Sequence, residues 1–125
     1  MFEDQLAPLC LKHGIGVINF YALAAGFLTG KYRKAADAGK SARGASTTAK
    51  YLNERGLRIL AALVGVAARY GSTPAQVAIA WLMAQPAVTS PIASATSLAQ
   101  LAELVAAARL RLDAQAMAAL NQASA

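Results

Sequence analysis

Cysteine and histidine each occur once, at Cys10 and His13, and that scarcity removes several kinds of chemistry. A metal centre of three or more His and Cys ligands cannot be assembled, an HExxH helix and a CxxC redox pair are absent, and no internal disulfide can form. A lone thiol is what a reducing compartment permits, and Cys10 is expected to fill core. His13, just before Gly14, is expected to close a helix, where the dipole favours it, rather than to act as a base. Acids are also few, six Asp+Glu against twelve Lys+Arg for a formal net charge of +6. Apart from the adjacent Glu3 and Asp4 they are scattered singly, so a paired-carboxylate hydrolase has no support. Neither a GxGxxG turn nor a Walker loop is present.

Long apolar runs are missing as well. A membrane span needs about 18 or more consecutive apolar residues, and even the stretch Leu60–Ala68 is bounded by Arg58 and Arg69. Met1-Phe2-Glu3-Asp4 carries acids where a secretory signal carries Lys or Arg, and no apolar segment follows. A cytoplasmic protein with no membrane association is the expectation. What the chain has in quantity is alanine, 32 of 125 residues. With 57% hydrophobic and 14% charged residues and a mean hydropathy of +0.40, disorder is excluded for most of it. The length suits one domain, with a core lighter than the hydrophobic fraction suggests because the alanine side chain is small.

Half of the basic residues, Lys31, Arg33, Lys34, Lys40, Arg43 and Lys50, fall between positions 31 and 50 among glycine and serine. Tyr32 is the one aromatic in that stretch, and no nucleic-acid-binding module is matched. Nucleic acid is therefore the less favoured partner, and an anionic small molecule or a merely solvated loop remains.

Periodicity predicts a helix over residues 3–13, from Leu6, Leu9 and Cys10, and a short buried strand at Ile15–Phe20 that is apolar on both faces. A basic flexible loop follows over 31–48, unusually long for a compact domain. A helix is expected from about Ala49 to Tyr70. Thr73-Pro74-Ala75-Gln76 is a capping box with proline at the first helical position, opening a helix from Pro74 to Ala84 that is apolar nearly all round. A second buried strand, Val88–Ala93, contains Pro91, which suits only a bulge or an edge. Ser97 to Gln100 repeats the capping pattern and starts a helix with Leu98, Leu101, Leu104 and Val105 as its buried stripe. Asp113 caps a last helix carrying Met117 and Leu120. The order is β/α alternation with decorations, α/β in class, without repeat or linker.

Two strand ends could hold a ligand. After the first, Phe20-Tyr21-Ala22-Leu23-Ala24-Ala25-Gly26 sets two aromatics beside small residues, where a planar ring could stack while backbone N–H groups approach a phosphate. The same residues would equally serve as a plain strand-to-loop turn. After the second, Ser94-Ala95-Thr96-Ser97 opens a capped helix whose first N–H groups suit an anion. Ordinary capping by Ser97 explains that run as well.

The run VINFYALAAGFLTGKY, from Val17 to Tyr32, resembles the seventh strand and following loop of the aldo-keto reductases, whose usual form is close to Y-S-x-L-A-x-G-x-L-T-G-K-Y. Tyr51-Leu52-Asn53, the stretch from Thr73 to Leu82 and the stretch from Pro91 to Ser97 continue the likeness in the family's order, so that residues 1–125 look like a partial domain of that family. The resemblance implies the C-terminal fragment of a (β/α)8 TIM barrel, predominantly helical with about two parallel strands. It implies an NADP(H)-dependent oxidoreductase that reduces aldehydes or ketones to alcohols, with NAD(H) the alternative cofactor. By it, Phe20 matches the aromatic that stacks on the nicotinamide, with Tyr21 taking that place if the register shifts by one. Tyr21, Leu23 and Ala25 match positions lining the pyrophosphate. Ser94, Thr96, Gln100 and Glu103 match those around the adenosine 2'-phosphate and the adenine. Many members carry Lys at Ser94, Arg at Gln100 and Asn at Leu104, so the charge clamp that selects NADP is weakened here. The family's catalytic Asp, Tyr, Lys and His lie on the first four strands, outside the matched part. No catalytic residue and no metal ligand is assigned, and residues 1–125 alone are not expected to transfer hydride. A non-catalytic fragment that self-associates, or that docks on an N-terminal barrel portion, is the alternative.

Overall fold

The computed structural model describes residues 2–125. A π-helical turn, Phe2–Leu6, runs into α1 (Ala7–Lys12), and β1 is Val17–Asn19. Two segments of 3-10 turn, Ala24–Thr29 and Ala35–Lys40, lead to α2 (Gly44–Tyr51), α3 (Glu54–Tyr70) and α4 (Pro74–Met83). The chain ends with β2 (Val88–Pro91), α5 (Leu98–Arg109) and α6 (Ala114–Ser124).

Local chemistry sets most helix starts. Thr73 Oγ1 accepts from the Gln76 N–H at 3.2 Å and the Gln76 carboxamide accepts from the Thr73 N–H at 3.1 Å, closing the expected box at α4. Asp113 accepts from the Ala116 N–H at 2.8 Å to open α6, and pairs with Arg69 across the turn. The helix expected from Ala49 to Tyr70 is two helices. Leu52 leaves helical geometry, and the Asn53 side chain accepts from the Gly56 N–H at 2.9 Å to start α3 afresh. An Asn side chain competes for backbone donors in this way, which favours a cap over a helix interior.

Residues 31–48, expected as loop, carry the turn Ala35–Lys40 and the start of α2. Buried Asp37 organises them by accepting from the N–H groups of Arg33 (2.8 Å) and Lys34 (3.0 Å) and pairing with Lys40 at 2.9 Å. Tyr32 is fully buried beneath, its hydroxyl 2.6 Å from Ser41 Oγ. Backbone groups that a free loop would leave to water are thus satisfied internally.

β1 and β2 form a parallel pair, Val17 opposite Val88, Ile18 opposite Ser90 and Asn19 opposite Pro91, with an irregularity between Val17 and Ile18. The Ile92 N–H donates to the Asn19 carbonyl at 2.9 Å. Since Ile92 faces β1, the neighbouring Pro91 nitrogen faces the outer edge, where its missing N–H costs no rung. Both strands are shorter than expected and neither is buried on both faces. Val17 and Asn19 are half-buried on the face toward the helices, whereas Ile18 points the other way and is 61% exposed. A two-stranded sheet packed against α4 has no second layer to cover that face.

Most of the core lies between helices: Leu63, Val66 and Ala67 of α3, Val77 and Ala78 of α4, Ala116 and Leu120 of α6. Ala22, Ile79 and Ala107 form a second cluster, and Phe27, Tyr32 and Leu60 a third. The stripe expected on α5 is not its buried face. Leu98 is 85% exposed, Leu101 and Val105 are exposed, and Leu104 is half-buried beside buried Ala107. The small Ala107 side chain lets α5 approach Ile79 closely, and Glu103 is tied to Thr73, which turns that side inward. Cys10 is half-buried on a helix without buried residues, so it does not fill the core. Among the described residues, no helix is long and apolar enough to cross a membrane.

Two outcomes follow from the packing around residues 31–50. The Asp37 carboxyl is held down from 3.8 to about 2, first by the Arg33 N–H, with Lys40 and the Lys34 N–H adding to it. An acid with a lowered folded-state value contributes stability above its unfolded value and loses it as the pH falls through the folded one. Between about pH 4 and pH 2, Asp37→Asn is therefore expected to flatten the fall of melting temperature with acid; an unchanged slope would refute the assignment. Thr47 is 1% exposed with its Oγ1 unpartnered, so Thr47→Val is expected to gain about 1 kcal/mol in urea unfolding.

Candidate functional site

Because β1 and β2 are parallel and paired up to the Ile92-to-Asn19 bond, both strands release the chain at the same edge of the sheet. In such sheets, ligands bind outside the carboxyl ends of the strands. Phe20 and Tyr21 emerge from β1 there. Phe20 is 72% and Tyr21 57% exposed, with ring centroids 4.8 Å apart and planes tilted by 55°.

The backbone beyond Phe20 is strained. Tyr21, Ala24 and Ala25 take φ of 58°, 49° and 55°, the left-handed region that costs an L-residue roughly 1–2 kcal/mol each. Hydrogen bonds hold the turn, from the Ala24 N–H to the Tyr21 carbonyl at 2.7 Å and from the Gly26 N–H to the Leu23 carbonyl at 2.9 Å. Ala22 is buried against Ile79 and Ala107, and half-buried Leu23 packs on the same cluster, anchoring the turn from below. Gly26 has φ of 90°, and a Cβ there would stand 3.2 Å from the end of the Lys31 side chain. Lys31, read in the sequence as one cation of a basic stretch and as part of the G-K-Y end of the family-like run, thus folds back over the turn, its Nζ 5.0 Å from the Tyr32 ring centre.

On the β2 side, Ser97 Oγ accepts from the Gln100 N–H at 3.2 Å. The Gln100 carboxamide does not close a capping box on Ser97; it accepts from the Thr96 N–H at 2.8 Å and the Thr96 hydroxyl at 3.0 Å. Thr96 and Gln100 are therefore one polar unit at the start of α5, and the Leu98 and Ala99 N–H groups precede any intrahelical acceptor. Ser94 is exposed before them. Glu103 is turned toward α4: half-buried, its carboxylate accepts from the Thr73 hydroxyl, and its backbone carbonyl from Gln76 Nε2 at 3.5 Å. It is engaged with α4, one helical turn beyond Gln100.

A residue the sequence reading passed over is Asn19, whose Oδ1 is buried without a hydrogen-bond partner. It lines a cleft of about 560 Å3 with Glu3, Trp81 and Gln85. Nothing in its neighbours along the chain distinguishes it from an ordinary strand residue. Among the described residues, no group of three or more His, Cys, Asp or Glu could hold a metal ion. What the edge offers is an exposed aromatic face, a strained turn beneath a lysine, and a helix N-terminus with hydroxyls, which together suit an anionic ligand with a planar ring. Ala25→Gly should relieve the backbone strain and raise stability by about 1 kcal/mol in chemical denaturation; a loss of stability would show that the turn is not strained in solution.

The Aldo/keto reductase family model matches residues 1–125. The chain is 41% identical over 106 residues to a probable voltage-gated potassium channel subunit beta of Arabidopsis thaliana, covering 81% of this chain and 32% of that protein. It is 33% identical over 121 residues to Protein tas of Escherichia coli (strain K12), covering 96% of this chain and 35% of that one. Its similarity to L-glyceraldehyde 3-phosphate reductase of the same strain is 35% over 112 residues, covering 84% and 32%. The chain thus spans about a third of the length of these curated relatives. With the family model covering every residue, this chain belongs to the aldo/keto reductase family.

Proposed function

We propose that this chain is the cofactor-binding portion of a reductase that converts aldehydes or ketones to alcohols, built as the last two strand–helix units of a (β/α)8 barrel. The observation that carries the reading is the shared edge, where the Ile92-to-Asn19 bond brings the ends of two parallel strands together beside a left-handed turn. Strained backbone at a strand end is where binding geometry is commonly stored. The exposed faces of Ile18 and Ile92 are where neighbouring strands of a barrel pack.

The chemistry of the donor set fits a dinucleotide. A nicotinamide cofactor supplies the hydride that reduces the carbonyl carbon. Phe20 gives the flat face on which the nicotinamide stacks, with Tyr21 at a tilt beside it. The turn through Leu23 and Ala25 lines the pyrophosphate, and Lys31 adds positive charge over that turn. At the other end, Ser94, Thr96 and Gln100 surround the adenosine 2'-phosphate with hydroxyl and amide groups and the N-terminus of α5. The first turn of α5 carries no cation, so NADP(H) is held without a charge clamp and NAD(H) is the alternative. Glu103 bounds the adenine side through its tie to Thr73.

Among the described residues none is assigned as the general acid that must reach a carbonyl oxygen in the reduction, so residues 1–125 alone are not expected to turn over. In the purified chain, NADPH is expected to bind weakly, detected by ligand-observed NMR, and to be about fivefold weaker with Phe20→Ala. Oxidation of NADPH on addition of a simple aldehyde would overturn this reading, as would affinity indifferent to Phe20.

A second reading rests on the uncovered apolar face, where Ile18 and Ile92 are exposed. By it the chain acts through self-association or by docking on the remainder of a barrel. A dimer in size-exclusion chromatography that is indifferent to NADPH supports this second reading, and a monomer counts against self-association.

A further inference from the structure

A cavity of about 390 Å3 opens between α2, α3, α4, α6 and the Ala22–Leu28 segment that follows β1. That volume lies within the range of small-molecule sites, which are mainly apolar with a few convergent polar groups. Buried Phe27, Leu63, Ala78 and Leu120 form its floor, with Ile59 and Trp81 on the walls. The rim has a different character. Lys50 and Arg55, both exposed, line it beside Asn53 and the Tyr51 ring. No ion pair engages either cation among the described residues, Lys50 Nζ resting 5.2 Å from the Tyr51 ring centre and Arg55 donating to the Ser124 carbonyl. The N-terminus of α3 joins the same rim. Asn53 satisfies the Gly56 N–H, which leaves the Glu54 and Arg55 N–H groups ahead of the first intrahelical acceptor. The Glu54 carboxylate is exposed and does not line the cavity.

We propose that this cavity binds a small organic monocarboxylate, its apolar tail against Phe27, Leu63 and Trp81 and its carboxylate at the rim between Lys50, Arg55 and the start of α3. A neutral apolar molecule would leave the cations and helix donors unused, whereas a highly charged one would waste the floor. The combination of a dry floor with a cationic rim selects an amphipathic anion. Ala22 and Ala24, from the turn after β1, line this cavity from behind, whereas Phe20 and the α5 N-terminus do not line it, so the proposed ligand and the dinucleotide meet different residues.

Octanoate, with octanamide as its uncharged counterpart, tests the proposal on the purified protein. Trp81 is the chain's single tryptophan, so its fluorescence reports binding, with titration calorimetry as the second readout. Octanoate is expected to bind at least fivefold more tightly than octanamide. Lys50→Gln with Arg55→Gln, both on the surface, is expected to remove that preference while leaving the amide affinity unchanged. Trp81 also borders the larger cleft, so Ile59→Phe, which fills only this cavity, is expected to abolish the response with the circular dichroism spectrum retained. Phe20→Ala is expected to leave it intact, which separates this site from the dinucleotide edge. Equal binding of acid and amide, a preference that survives loss of both cations, or a response lost with Phe20→Ala would each overturn the proposal.

Discussion

Burial of α4 on nearly every side is the constraint on which the other elements depend. Val77 is inaccessible, and Ala75, Ala78, Ile79 and Ala80 are buried with it. One side meets α3 and α6 through Leu63, Val66 and Leu120, while the other meets Ala22 and Ala107. Each large side chain so buried contributes about 1.5–3 kcal/mol. The three alanines contribute less by area, but they allow close approach, and that closeness lets one short helix join two clusters. Its capping box fixes where it begins, so the partners of Val77 and Ile79 are fixed as well.

From that helix the candidate ligand edge is positioned indirectly. α4 supports the Ala22–Leu23 segment, which holds the left-handed turn, and its N-cap Thr73 grips Glu103 and so orients α5. Phe20 can then stand exposed and Tyr21 can hold an unfavourable φ because the flanking residues are anchored. The same support leaves Ile18 bare, since α4 covers only one face of two strands. Exposure of this kind on a sheet, with outer edges unpaired, is what further strands or a partner would remove.

Much of the helix inventory was legible in the sequence because caps are local. Thr73 with Gln76, Ser97 and Asp113 each declare a start within three residues, and each makes that bond. Where the reading missed, a non-local contact or a competing side chain decided. Asn53 divides a pattern that looked continuous, because its amide competes for a backbone donor. Asp37 was one scattered acid in the sequence, yet it folds a supposed loop by drawing two N–H groups and a lysine to one carboxylate. For the candidate ligand edge, the positions of Phe20, Tyr21, Thr96 and Gln100 at strand and helix ends were readable. The position of Lys31 over Gly26 and the tie of Glu103 to Thr73 were not, since each needs the chain to return on itself.

By itself the sequence determined the class of the fold, the caps, the parallel strand pair and the family likeness, all carried by residue types at short spacing. Tertiary structure alone decided which face of α5 is buried. Four leucine and valine positions favoured one stripe, but the close fit of Ala107 on Ile79, with the Glu103–Thr73 bond beside it, selected another. Hydrophobic periodicity ranks faces by the area they could bury, whereas packing rewards the face that can approach its neighbour closely, and on an alanine-rich helix those two are not the same.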